Sequence, residues 1–65
     1  MNRLKLYREK HGMSQEELSE KSGISRVTIS KLESGRMSVS KTTTLVQIAD
    51  ALGETVTEIF FAKEV

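Results

Sequence analysis

Gln15-Glu16-Glu17-Leu18-Ser19-Glu20-Lys21-Ser22-Gly23-Ile24-Ser25-Arg26-Val27-Thr28-Ile29-Ser30-Lys31-Leu32-Glu33 is the stretch that decides the fold. It reads as two short helices joined at a glycine. Ser14, just before it, is followed three residues on by Glu17, the spacing of a capping box that opens a helix. Gly23 tolerates the left-handed backbone that closes one. Ser25 is then placed to cap a second helix beginning at Arg26. Two helices crossing steeply need a small residue where they touch, and Ser19 fits that place. Leu18, Ile24, Ile29 and Leu32 fall on the sides that face each other, leaving Ser25, Arg26, Thr28, Ser30 and Lys31 as a polar, basic outer face.

The same punctuation extends in both directions. Gly12, Gly23, Gly35 and Gly53 each follow a stretch with helical periodicity, and there is no proline. Thr55 and Glu58 repeat the capping-box spacing. Helices are therefore expected at 2–11, 15–22, 26–34, 42–52 and 56–62. Leu4 and Tyr7 share a face of the first. Leu45, Ile48, Ala49 and Leu52 form an i, i+3, i+4, i+7 stripe in the fourth, and Val56, Ile59 and Phe60 mark the fifth. Only Met37-Ser38-Val39-Ser40 alternates as a strand would, and it is short and falls in a loop. The expected fold is all-α, a compact five-helix arrangement forming one domain over 1–65.

Composition narrows the function. With 65 residues the chain buries only about 60% of the surface its unfolded form exposes, so its core is thin. There is no cysteine to supply a disulfide or a thiolate ligand, which leaves helix packing or oligomerisation to stabilise it. No apolar run approaches the roughly 18 residues of a membrane span, and Met1-Asn2-Arg3-Leu4-Lys5 leads into mixed charge, unlike a signal peptide. A cytoplasmic protein with no membrane partner is expected. The net charge of +1 hides a polarity. Residues 21–41 hold Lys21, Arg26, Lys31, Arg36 and Lys41 against Glu33 alone, whereas the flanking thirds are neutral and acidic. A basic patch on a nearly neutral chain attracts polyanions.

The stretch from Leu4 to Gly35, continued by the stretch from Thr44 to Phe60 and so covering nearly the whole chain, resembles the Cro/CI-type (lambda-repressor-like, XRE) helix-turn-helix family. The combination of Ser14-Gln15, Gly23, Ile29, Glu33 and Gly35 carries the resemblance, with the helix-turn-helix at about 15–34. It implies sequence-specific binding of double-stranded DNA and transcription regulation, in a prokaryotic or phage setting, by a repressor acting as a homodimer on a palindromic operator. It further implies base contacts from Arg26, Val27 and Lys31, and backbone or mixed contacts from Ser14, Gln15, Ser25, Thr28, Ser30, Arg36 and Lys41. Arg8 and Glu33 match a partly buried salt bridge. The side-chain chemistry agrees: arginine bonds guanine O6 and N7 together, lysine reaches the same atoms or a phosphate, and valine packs on a thymine methyl. Val27 fits equally a place in the core.

Other residues point to no chemistry of their own. His11, the single histidine, sits at a helix end where its cation suits the dipole. No cluster of His, Cys and carboxylates suggests a metal, no serine has a base at workable spacing, and no cofactor, small-molecule effector or enzymatic activity is expected. Phe61 follows the terminal core residue Phe60 and is expected at a dimer interface; Leu6 fits either that patch or scattered surface apolarity. A rival reading is an antitoxin-like or other protein-interaction module on the same fold. It would need a further partner-binding segment, and only Ala62-Lys63-Glu64-Val65 follows the fifth helix.

Overall fold

The computed structural model describes residues 3–35 and 41–61. Among the described residues, four α-helices and one wider terminal turn follow in order: α1 (Leu4–Lys10), α2 (Gln15–Ser22), α3 (Arg26–Ser34), α4 (Thr42–Leu52) and a five-residue π-helical turn, here α5 (Thr57–Phe61). The second, third and fourth have the expected bounds. The first is shorter than expected, starting at Leu4 after Arg3, whose side chain makes no capping bond. The last begins with Val56 in helical conformation, as expected, and continues as the wider turn Thr57–Phe61; the expected end at 62 lies outside the described residues.

The starts of α2 and α3 follow from side-chain chemistry. Ser14 Oγ accepts the Glu17 N–H at 3.1 Å while Glu17 Oε1 accepts the Ser14 N–H at 3.0 Å, a complete capping box. Ser25 Oγ accepts the Thr28 N–H at 3.2 Å. The expected second box is only half made. Thr55 Oγ1 accepts the Glu58 N–H at 3.1 Å, but the Glu58 carboxylate turns to α1 and accepts the Tyr7 hydroxyl at 2.9 Å. A long-range donor thus holds the carboxylate that the local motif reserves for the backbone.

Leu4, Leu18, Ile29, Leu32, Ile48, Ala49, Ala51, Leu52 and Ile59 form the buried core, with Tyr7, Met13, Ile24, Val56 and Phe60 packed around it. Every helix contributes at least one fully buried side chain, so no helix is stable alone and all depend on the shared interior. The Arg3 N–H donates to the Ile59 carbonyl at 2.8 Å and pins α5 to the start of α1. His11, exposed at the end of α1 as expected, faces Glu54 at 3.3 Å and adds a second link to that side.

Candidate nucleic-acid interface

The turn between α2 and α3 is built from serines. Gly23 closes α2 at φ +75°, a conformation that L side chains resist. Ile24 then follows with both its backbone polar groups satisfied from α2: Ser19 Oγ donates to its carbonyl at 2.6 Å, and Ser22 Oγ accepts its N–H at 3.2 Å. Ser19 is thus more than a small residue at a crossing. Its hydroxyl ties the turn shut.

That turn sets how α3 is presented. Ile29 and Leu32 point into the core, and the remaining surface of the helix carries Arg26, Val27, Ser30, Lys31 and Ser34, all exposed. At 100° per residue these five positions occupy one continuous arc. Val27 is 63% exposed, which removes it from the core. No carboxylate lies in the arc, because Glu33 is turned under its edge. Ser25 Oγ donates to Thr28 Oγ1 at 3.0 Å, so the two hydroxyls form a pair at the N-terminal end of the helix. Lys41 is exposed at the start of α4. Arg36 lies outside the described residues.

Beneath the arc, Arg8 and Glu33 form the expected salt bridge. Arg8 Nε donates to Glu33 Oε2 at 2.6 Å and Nη2 to Oε1 at 3.1 Å, a two-pronged pair whose side chains are 10% and 5% exposed. Nη1 donates to the Met13 carbonyl at 2.6 Å. The bond to Glu33 holds the guanidinium above its ordinary pKa, against the opposing effect of burial. The bridge fastens α1 to α3 and to the loop before α2. Glu33 Oε1 also accepts the Gln15 side-chain amide at 3.1 Å. Gln15 therefore has one amide hydrogen engaged inside the protein and is half-buried, while Ser14 beside it is exposed. Sequence reading missed this link, since no local pattern relates residues 15 and 33.

The geometry is that of two short helices held at a fixed turn, the second presenting a cationic face. A helix-turn-helix family model matches residues 4–59 of the chain. The chain belongs to the Cro/CI-type helix-turn-helix family. The helix-turn-helix domain is thus a DNA-binding regulator domain of a family that is typically non-enzymatic. Comparison with curated proteins gives no match. Among the described residues of this helix-turn-helix protein, no helix is long and apolar enough to cross a membrane.

Proposed function

We propose that residues 1–65 act as one helix-turn-helix domain that reads a palindromic operator as a homodimer and represses transcription by occupying it, in the cytoplasm of a prokaryote or on behalf of a phage. The observation that carries this reading is the exposed, carboxylate-free arc of α3. Arg26 and Lys31 supply base-directed donors a little over one turn apart, and Val27 offers an apolar contact for a thymine methyl. Ser14, Gln15, Ser25, Thr28, Ser30, Arg36 and Lys41 act with them as backbone or mixed contacts, and backbone contacts position the protein without choosing sequence. One nine-residue helix is about 13 Å long and reads few base pairs, so a second copy about 34 Å away, one duplex turn, supplies the rest of the specificity.

Selection from randomised duplex at two salt concentrations tests this. A two-fold symmetric site, bound more weakly at the higher salt, is expected. Absence of any salt-sensitive complex overturns the reading. On the selected site, Arg26→Ala is expected to lose about 1–3 kcal/mol of binding while random duplex is bound nearly as before. An equal loss on both would reject base reading by Arg26.

A further inference from the structure

Lys5, Gln15, Ser30, Glu33 and Ser34 line a shallow groove where α1, the start of α2 and α3 meet. Ser30 and Ser34 belong both to this groove and to the exposed arc of α3, so the groove runs along the edge of that arc. Its one carboxylate is spent. Glu33 Oε2 accepts from Arg8, and Oε1 accepts from Arg8 and from Gln15. The Ser34 hydroxyl donates to the Lys31 carbonyl at 3.1 Å. What the groove still offers is the Lys5 ammonium, the second amide hydrogen of Gln15 and the Ser30 hydroxyl. Lys5 is exposed and pairs with no carboxylate among the described residues. A cation and two neutral donors around a neutralised carboxylate suit one singly charged phosphodiester.

We infer that Lys5 is a further contact to the DNA backbone, so that the footprint extends from the helix pair onto α1 and seats one phosphate between α1 and α3. The inference rests on the DNA-binding reading above. Along the chain Lys5 belongs to a neutral third, with Glu9, Glu16, Glu17 and Glu20. In the fold it stands beside Ser30 and Gln15, at the rim of the basic face.

The test measures affinity of the full chain for its selected duplex between about 50 and 200 mM salt. Removing one bond to a phosphate makes the slope of log K against log salt shallower by about one unit. Lys5→Ala is expected to show that change, with the same site preference and an unaltered melting temperature; Lys5→Arg is expected to keep the wild-type slope. Replacing operator phosphates singly by neutral methylphosphonate is expected to reveal one position that weakens the wild type and leaves Lys5→Ala unaffected. An unchanged slope in Lys5→Ala overturns the inference, as does a methylphosphonate scan identical for the two proteins. If Arg26→Ala still loses its site preference in that case, the regulator reading stands without Lys5. If the wild type binds no duplex at all, both fall.

Discussion

Glu33 concentrates the logic of the site in one side chain. Its two oxygens accept bonds from Arg8 on α1 and Gln15 at the head of α2, while its own helix carries the exposed cationic arc. Such a buried pair is worth little as net stability, because both charges leave water, but breaking it strands one of them. Glu33→Ala is expected to cost about 3–5 kcal/mol, whereas the joint change of Arg8→Met and Glu33→Leu costs far less. Urea denaturation of the two variants distinguishes these outcomes, and equal losses would contradict the account. Tyr7 makes a different link. Its hydroxyl donates to Glu58, and that bond, followed by desolvation and the carboxylate's charge, raises the phenol above its ordinary 10.0. The fold therefore favours the protonated phenol. Its contribution is complete below pH 10 and is lost as pH rises through the raised value. Thermal midpoints measured from about pH 8 to 11, a range that brackets an ordinary tyrosine, are expected to fall more steeply for the wild type than for Tyr7→Phe. Parallel curves would show that the bond adds nothing.

At the scale of the element, α2 and α3 begin where a serine caps them, and α2, α3 and α4 end where a glycine turns left-handed. At Gly23 an added Cβ would meet nothing within 4 Å, so the backbone strain is isolated from any clash. Gly23→Ala is expected to destabilise by about 1–2 kcal/mol through φ +75° alone. For a domain of this size each 1 kcal/mol lowers the melting temperature by roughly 4–8 °C. A melting temperature equal to that of the wild type would refute the strain. The fifth element departs from local expectation. Its cap spacing predicts an ordinary α-helix, yet the chain forms a single wider turn at Thr57–Phe61. There Ile59 is fully buried, its carbonyl is bonded to Arg3, and Glu58 is drawn to Tyr7. Tertiary partners from α1 hold groups that a local reading assigns to the helix itself.

At the scale of the molecule, a body of 32 × 22 × 19 Å presents one α3. Its longest dimension is shorter than the roughly 34 Å between groove faces one turn apart, so under the proposed reading a single copy would reach only one of them. Phe61, 57% exposed at the end of α5, is the large apolar side chain the proposed dimer would cover. Phe61→Glu is expected to sediment as a monomer and to weaken binding to a full operator far more than to a half-site. A dimer that survives the change would move the interface elsewhere. Leu6, 60% exposed, projects from the side of α1 away from buried Leu4 and Arg8, and nothing in the fold assigns it to that surface.

Residue order alone determined α2, α3 and α4, the serine caps of the first two and the glycine stops of all three, the apolar stripes and the basic stretch around Arg26 and Lys31, because each is written within a few residues of backbone and needs only local sterics and period. The resemblance added Arg8 with Glu33. Tertiary structure alone decided that Val27 is exposed, that Gln15 is held by Glu33, that Glu58 serves Tyr7 in place of its own helix, and that Lys5 stands beside the arc of α3. Each of these joins residues 18 to 51 positions apart or turns on the angle at which helices cross, and neither quantity is carried by local spacing.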